Sequence, residues 1–164
     1  MSGEQETVDL EGLVSKALEG INYSISREKG YVEVSVPLES LREAALRLKN
    51  AGFDHVKSLT IVDYIKKGEF KAMYIVSSYL SEELSGGLIA LSTTVKRDKA
   101  KLPSLSDVWI SLLFQEREVY EMFGIEFEGH PDLRLLLLAP HIAELKPLRK
   151  EFIVKEEPII RKPK

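Results

Sequence analysis

The sequence predicts an α+β domain of two layers, in which helices pack on one face of a mainly antiparallel sheet and an extended C-terminal arm follows. Periodic segments occur in the order helix, strand, helix, three strands, helix. The connections between the last three strands are too short for the crossovers that parallel neighbours need. From Ile125 onward the chain has no clear period and carries repeated prolines. We therefore predict a core domain over residues 1–123 and an irregular arm over residues 124–164.

The first part of the chain supplies two helices and one strand. Apolar residues recur at helical spacing after Thr7, which is suited to cap a helix, and Gly20 ends that helix. Residues 31–36 alternate, with three valines on one side, and this pattern indicates a half-buried strand. A second helix is predicted over residues 39–50, with Leu41, Ala44, Ala45 and Leu48 facing inward and Gly52 as its terminator.

Three strand-like segments follow, over residues 55–64, 69–79 and 87–96. Lys67-Gly68 is suited to the hairpin turn between the first two of them. Because the connections are short, we expect antiparallel pairing among the three strands.

A third helix is predicted from Ser104 to about Met122. Ser104 and Asp107 have the spacing of a capping box, and Gly124 supplies a C-terminal stop. Beyond it, the prolines leave room for only a short helix, around residues 141–145.

Composition limits the classes of function. With 23 Lys and Arg against 26 Asp and Glu, the net charge of -3 argues against nucleic-acid binding through phosphate contacts. The absence of cysteine excludes thiolate nucleophiles and cysteine-ligated zinc or iron–sulfur sites within this sequence. No apolar run reaches the ~18 residues of a membrane span, and the N-terminus lacks the layout of a signal peptide. We therefore expect a soluble, cytoplasmic chain; its 30% charged residues without cysteine are typical of a thermophile.

The third helix places a carboxylate on its apolar face. A side chain that is costly to bury as an ion, Glu116, lies near the middle of a stripe formed by Trp109, Leu112, Leu113, Tyr120 and Phe123. Its neighbours Arg117 and Glu118 point elsewhere on the helix.

Two interpretations of Glu116 stay open. In the first it is an acid/base group with a raised pKa. In the second it is a structural group, bonded to an arginine or to backbone N–H groups of the loop that follows the helix. Arg134 and Arg149 are the arginines that we expect to reach it, and such an ion pair would fasten the arm to the helix.

Histidine does not suggest a metal site. His55, His130 and His141 lie far apart in a chain without cysteine, so a closed zinc site is not predicted. We expect the His130 ring to bond the backbone in the Gly-His-Pro turn.

A long mixed motif carries a family resemblance. From Glu116 the sequence reads ERE-VYEMFGI-EFEGHPDLRLLLL, and PLRKEF follows at residues 147–152; upstream, residues 58–64 read SLTIVDY and residues 103–109 read PSLSDVW. These segments resemble the thirty-kilodalton (C) subunit family of respiratory complex I, including the corresponding subunit of archaeal membrane-bound energy-converting hydrogenases. Glu121 stands where aspartate is usual, Leu135 where a second arginine is common and Phe114 where tryptophan is frequent. The chain also stops soon after PLRKEF, and together these departures favour a shorter relative, as in archaeal membrane-bound hydrogenases.

The resemblance implies a non-catalytic structural subunit in the peripheral, cytoplasmic arm of a membrane-bound oxidoreductase. The chain would dock on the large quinone-site or nickel–iron hydrogenase subunit, beside iron–sulfur subunits, and would support electron transfer coupled to ion translocation. It would hold no cofactor itself, because iron–sulfur clusters and any nickel–iron centre belong to those partner subunits. It would reach the membrane only through the complex.

The same resemblance implies which residues form the partner-binding and structural signature. They are Glu116, Arg117, Glu118, Tyr120, Phe123, Gly124, Gly129, His130, Pro131, Asp132, Leu133, Arg134, Pro147, Leu148, Arg149 and Lys150.

The chemistry of the motif agrees with docking. Gly124 and Gly129 permit tight turns, and Asp132 and Arg134 flank Leu133 as a charge pair around an apolar anchor. Three alternatives stay open: a loop that folds back on its own domain, a stand-alone enzyme that uses Glu116 with Arg134 as an acid/base pair, and a soluble adaptor outside any redox complex.

Overall fold

The computed structural model describes residues 9–154. Two 3-10 turns, at Leu38–Ser40 and Ile65–Lys67, accompany the helices and strands, which are α1 (Leu10–Ala17), β1 (Ser24–Glu28), β2 (Tyr31–Ser35), α2 (Leu41–Asn50), β3 (His55–Tyr64), β4 (Glu69–Ser77), β5 (Ile89–Lys96), β6 (Lys101–Pro103), α3 (Leu112–Phe123), β7 (Glu126–Glu128) and α4 (Pro140–Ala143). Asp9 caps α1 by accepting from the Gly12 N–H; Thr7, the predicted cap, lies outside the described residues. Within residues 9–154, no helix is both long enough and apolar enough to cross a membrane.

The main sheet has five strands in the order β1-β2-β5-β4-β3. The pairs β3–β4 and β4–β5 are antiparallel, as their short connections predict, and so is β1–β2. Strands β2 and β5 are parallel, because α2 and the β3–β4 hairpin together provide the long connection that such a pair needs. Strand β1 was not predicted, since all five of its residues are exposed and show no apolar alternation.

The helices cover one face of this sheet. Strand β4, next to the central strand β5, alternates, and its inward side chains are all buried: Phe70, Ala72, Tyr74 and Val76. Helix α2 adds the apolar face that its sequence predicts, formed by Leu41, Ala44, Ala45 and Leu48. The outer face is polar at its centre, where Ser92 Oγ donates to Glu33 and Lys71 pairs with the same carboxylate. The predicted α+β architecture is therefore confirmed.

The sequence predicted that helix α3 begins at Ser104, but in the structure it begins at Leu112. The two side chains that were expected to cap it bond elsewhere. Ser104 Oγ donates to Glu116 Oε2 (2.6 Å), and Asp107 accepts from Arg42 Nη1 (2.8 Å). The intervening residues form turns instead of helix.

The end of α3 agrees with the prediction. Gly124 caps the helix with a φ of 72°, a left-handed conformation that suits glycine. Strand β7 then pairs in parallel with β6, and the side chains of Ile125 and Phe127 are buried in the core. These contacts attach residues 124–128, which the sequence assigned to the arm, directly to the core. We therefore restrict the term arm to residues 129–154.

Candidate docking site

Glu116 is held by the segment that precedes its own helix. Its side chain is 0% exposed. Oε2 accepts from Ser104 Oγ at 2.6 Å, and Oε1 accepts from the Leu105 N–H at 2.7 Å. The Ser104 hydroxyl lies 2.8 Å from the Ser106 hydroxyl, so the carboxyl group ends a short buried chain of hydrogen bonds.

The predicted ion pair between Glu116 and an arginine of the arm is wrong. The Arg134 side chain is 75% exposed and pairs with Asp132 at 3.0 Å. Arg149 Nε donates to the Phe123 carbonyl oxygen at 2.6 Å. Because α3 begins only at Leu112, the preceding turn at residues 104–106 lies directly against Glu116. This turn supplies the hydrogen-bond donors to Glu116 that the sequence assigned to an arginine.

The buried position perturbs two acids. Burial raises the pKa of Glu116 to about 7, although the hydrogen bonds from Ser104 and Leu105 lower it in part. Burial also raises the pKa of the Tyr74 phenol, and the Glu116 carboxylate raises it further. Glu116 can thus bind a proton near neutral pH inside the core, but it does not meet Arg134, so the predicted acid/base pair is not assembled.

A second stripe of α3, formed by Leu113, Arg117 and Glu121, binds the arm. Residues spaced by four lie on one helix face, so the three groups follow one another along the axis. The arm passes over them in order: His130 contacts Leu113, residues 134–135 contact Arg117, and residues 136–138 contact Glu121. We call this arrangement the α3 clamp.

The His130 ring uses both nitrogens within the chain. Its Nδ1 accepts from the Asp132 N–H at 3.0 Å, so the proton of the neutral ring is on Nε2, which donates to the Leu113 carbonyl oxygen at 2.9 Å. The expected backbone bonding of His130 is confirmed, and it extends from the turn to the helix. With both nitrogens engaged, the ring has no free lone pair for a metal.

Arg117 is buried by the arm. Its Nε donates to the Arg134 carbonyl oxygen at 3.0 Å and its Nη2 to the Leu135 carbonyl oxygen at 2.8 Å, while Nη1 lies 3.7 Å from Asp132. The residue points away from Glu116, as predicted, yet it is only 7% exposed because the arm covers it. A guanidinium can bind two neighbouring carbonyls at once because its donors form a fixed planar fork.

Glu121 binds backbone N–H groups of the same segment, whereas Arg117 binds its carbonyl oxygens. Its carboxylate accepts from three successive backbone N–H groups, those of Leu136 (2.9 Å), Leu137 (3.0 Å) and Leu138 (3.2 Å). The side chain is 0% exposed. Arg117 and Glu121 therefore fix carbonyls first and amides next along one stretch of chain.

The PLRK segment is attached at the end of α3. The Leu148 N–H donates to the Met122 carbonyl oxygen at 3.2 Å, and Arg149 donates to the next carbonyl, that of Phe123. The Lys150 N–H donates to Asp63 Oδ2 at 3.0 Å. The carbonyl groups of the last two residues of the helix are thus satisfied by the arm itself.

Asp63 anchors this second attachment from the sheet. It is 4% exposed and accepts from Arg97 Nε at 2.8 Å, and Arg97 also pairs with Glu151. Burial by itself would raise the pKa of Asp63, but the hydrogen bonds from Arg97 and Lys150 outweigh it and the net shift is downward. Strand β3, helix α3 and the arm are therefore joined at one point.

Apolar side chains project outward from this fixed backbone. Leu137 is 65% exposed and Leu148 is 54% exposed; the other exposed large apolar residues of the arm are Leu136, Leu145, Ile153 and Val154. Leu133, which the sequence proposed as an outward anchor, instead packs partly against the core. Asp132 and Arg134 beside it remain exposed.

The remaining signature residues divide between support and surface. The ring of Phe123 packs edge-on against Phe70 with centroids 5.9 Å apart, and Lys146 Nζ lies 5.3 Å from the centre of the Tyr120 ring. Gly129 has a φ of 85°, which a tight turn requires, and Pro131 follows in an exposed position. Glu118 is exposed, and Pro147 is half-buried ahead of the PLRK attachment.

Three functional side chains were missed from the sequence: Glu121, Asp63 and Arg97. The spacing of four between Arg117 and Glu121 was a usable signal for a shared face. Asp63 was detectable as a charged residue on the same side of strand β3 as Leu59 and Ile61, four and two residues before it. Over residues 9–154 no group of three or more potential ligand side chains is placed to hold a metal ion.

Comparisons with known proteins agree with this architecture. The family model described as respiratory-chain NADH dehydrogenase, 30 Kd subunit, matches residues 34–158. NADH-quinone oxidoreductase subunit 5 of Thermus thermophilus is 34% identical over 80% of this chain and 66% of its own length, so the chain spans just under two thirds of that relative. The C subunit of the F(420)H(2) dehydrogenase of Methanosarcina mazei is 30% identical over 87% of this chain and 89% of its own length. The C/D subunit of the NADH-quinone oxidoreductase of Phocaeicola vulgatus is 35% identical over 73% of this chain but only 22% of its own length.

Solved structures support the same assignment. The trypsin-resistant fragment of Nqo5 superposes with a TM-score of 0.62 at 31% identity, covering 76% of this chain and 96% of the fragment. A chain of the membrane-bound sulfane sulfur reductase, an archaeal respiratory membrane complex, gives a TM-score of 0.74 at 24% identity, covering 87% of this chain and 83% of that chain, which establishes a shared fold. The relatives of the present chain are thus subunits of NADH-quinone oxidoreductase and related complexes. The chain belongs to the family of the thirty-kilodalton subunit of respiratory-chain NADH dehydrogenase.

Proposed function

We propose that the chain is a structural subunit of the peripheral arm of a complex-I-like membrane oxidoreductase, and that its arm docks on the large subunit. One observation carries the proposal: the α3 clamp fixes the backbone of residues 134–138 from beneath while the side chains of Leu136 and Leu137 project into solvent. Buried charged groups are expensive to assemble. A fold that uses two of them to hold exposed leucines in a fixed position favours a contact surface.

Preorganisation is the physical advantage of this arrangement. A segment that is ordered before binding loses less conformational entropy on association than one that folds on its partner. Leu136, Leu137, Leu145 and Leu148 supply the apolar centre, and Asp132 and Arg134 supply a charged rim. An apolar centre with a polar rim is the usual composition of a stable interface.

The nature of the partner is supported by the relatives. In the protein of Phocaeicola vulgatus the letters C and D name one polypeptide, of which this chain matches the smaller part. Two parts of one polypeptide lie near each other, so the remaining larger part represents a suitable partner for the arm. We propose attachment to the cytoplasmic face of the membrane through such partners and alongside iron–sulfur subunits.

Electron carriers belong, in this proposal, to the partner subunits. The sequence contains no cysteine for a cluster, and His130 is engaged at both nitrogens. Iron–sulfur clusters, and nickel–iron in a hydrogenase-type complex, would lie in neighbouring chains. The alternative of an enzyme based on Glu116 and Arg134 is not favoured by any observation, because one side chain is buried and the other is exposed to solvent.

Co-purification tests the docking role. A tagged chain carrying Leu136→Gln and Leu137→Gln should recover the large subunit from membranes at least about tenfold less well, because losing two side chains from an interface centre costs ~2 kcal/mol or more. The backbone bonds to Glu121 do not involve these side chains, so the fold should be kept. Leu46→Gln, at a 41% exposed position on α2, is the matched control. Recovery equal to wild type in the double variant would refute docking through the arm.

A further inference from the structure

The connection between β4 and β5 projects a second pair of apolar side chains into solvent. Tyr79 is 67% exposed and Leu80 is 89% exposed. A single exposed apolar residue needs no explanation. Two adjacent large ones favour a contact surface if the fold also holds them in a fixed position.

Asp54 fixes the tip of this connection. Its Oδ1 accepts from the Tyr79 N–H at 3.0 Å, and its Oδ2 accepts from the Leu80 N–H at 3.0 Å and from Ser78 Oγ at 3.3 Å. Ser78 Oγ in turn accepts from the Ser81 N–H at 3.1 Å. One carboxylate thus fixes the backbone from which both apolar side chains project.

Two further contacts hold the two sides of the tip. The Tyr79 ring stacks on His55 with centroids 4.3 Å apart and an interplanar angle of 26°. Leu84 returns to the core, where it is 8% exposed and lies so close to Gly52 that a Cβ there would be 2.9 Å from it. The tip is therefore ordered before any partner arrives.

This tip lies at the opposite end of the sheet from the PLRK attachment. His55 pairs with Ser77 at one end of the β3–β4 hairpin, and Asp63, which holds the PLRK segment, pairs with Phe70 near the other. Strand β4 has nine residues and spans roughly 30 Å at ~3.4 Å per residue. Partners at the two ends would not compete for the same surface.

The charge around the tip narrows the class of partner. Glu82 and Glu83 follow Leu80 closely and both are exposed. Residues 78–88 contain no lysine or arginine. An acidic rim disfavours an anionic lipid surface and favours a protein pocket with basic residues at its edge.

We propose that residues 78–84 are a second docking surface, in which Tyr79 and Leu80 insert into an apolar pocket rimmed by lysine or arginine on a different subunit from the one that the arm binds. This inference rests on the proposed function, because it requires that the chain is part of an assembled complex. In that complex the chain would bridge two subunits through the two ends of its sheet. We call this surface the β4–β5 tip.

The set of subunits in the purified complex tests the inference. When the tagged full-length chain carries Tyr79→Gln and Leu80→Gln, the recovery of one subunit should be at least about tenfold lower than with wild type, while the partner of the arm is still recovered. Glu82→Lys with Glu83→Lys should lower the recovery of the same subunit, because the new lysines would repel the lysine or arginine residues around its pocket. Asp54→Ala, which keeps both apolar side chains but releases the tip, should give an intermediate loss. Leu46→Gln is again the matched control.

The possible outcomes separate this inference from the proposed function. An unchanged set of subunits in the tip variants, with the arm variant still losing its partner, overturns the inference alone. Loss of the arm's partner in the tip variants also overturns it, because the two surfaces would then be one. A tip variant that leaves the membrane with all of its subunits identifies the tip as a lipid contact and likewise overturns it. A wild-type chain that purifies from membranes without any other subunit overturns both proposals.

Discussion

Replacing Glu116 with glutamine tests the account of the buried carboxyl group most directly. The pKa of this group rises from 4.5 to about 7 on burial. At ~1.36 kcal/mol per tenfold change in proton affinity, ionising it inside the fold costs about 3 kcal/mol. Because the folded state holds its proton more tightly than the unfolded state does, this cost is absent below pH 4.5, grows as the pH rises towards 7, and is constant above it.

Glutamine should remove that cost. Its Oε1 can accept from the Leu105 N–H and its Nε2 can donate to Ser104 Oγ, whose own proton can turn to Ser106. No arginine is left unpaired by the change, since none bonds to Glu116 in the described part of the chain. We therefore expect Glu116→Gln to be more stable than wild type at pH 8, with a gain of up to about 3 kcal/mol in the free energy of unfolding. Near pH 5 the two proteins should be about equally stable.

Urea unfolding at pH 5, 6, 7 and 8 measures the difference. The wild-type free energy of unfolding should fall across this range relative to that of the glutamine variant, because Glu116 ionises within it. Carboxylates with lowered pKa, such as Asp63, titrate at lower pH and do not contribute to this difference. Glu116→Ala is the control: it leaves the Leu105 N–H unpaired and opens a cavity, so it should lose roughly 2–4 kcal/mol near pH 5. This deficit should shrink by up to about 3 kcal/mol at pH 8, because alanine also lacks the carboxyl group that is costly to ionise. A glutamine variant that is less stable than wild type at pH 8, or that has the same pH dependence, would refute the reasoning.

Three other changes probe the attachments of the arm and the absence of a metal centre. Glu121→Ala should lower stability by roughly 2–4 kcal/mol by leaving buried N–H groups unpaired, and amide exchange measured by mass spectrometry should accelerate at residues 136–138 more than in the β3–β4 hairpin; uniform acceleration would count against a local clamp. Asp63→Asn should lower the melting temperature by leaving Arg97 without its buried partner. Because the pKa of Asp63 is lowered from its ordinary value, the difference from wild type should be constant above about pH 4 and should shrink as the pH falls below it; a difference that stays constant down to low pH would contradict the ion pair. The purified chain should retain no stoichiometric iron, nickel or zinc after mild chelation, as elemental analysis can establish, and a metal held at one equivalent would overturn the assignment of electron carriers to other subunits.

The sequence was most informative where one face of an element is buried. Strand β3 was predicted with the bounds that the structure has, and the apolar face of α2 was predicted residue by residue. Strand β1 gave no signal because neither of its faces is buried. The start of α3 was misplaced because Ser104 has the spacing of a cap, whereas its hydroxyl is used by a carboxyl group that only the tertiary fold brings near.

The candidate site was less predictable for the same reason. Glu116 was recognised as anomalous because its own helix surrounds it with apolar residues, but its partners lie before the helix rather than after it. Glu121 lies away from the apolar stripe, so the periodicity of the helix gave no reason to expect it to be buried. Its burial depends on the path of residues 136–138, which have no periodicity from which that path could be read.

The bonds that the α3 clamp makes with residues 134–138 have a consequence for how the contact surface can change. Arg117 and Glu121 bind peptide carbonyls and amides, groups that every residue other than proline provides. Substitution by any residue other than proline in residues 135–138 therefore keeps these backbone bonds, and the carbonyl oxygen of residue 135 accepts from the same guanidinium whatever its side chain. Selection can thus adjust the affinity and specificity of the arm for a new subunit one side chain at a time, because such changes do not disturb the fold that presents the arm.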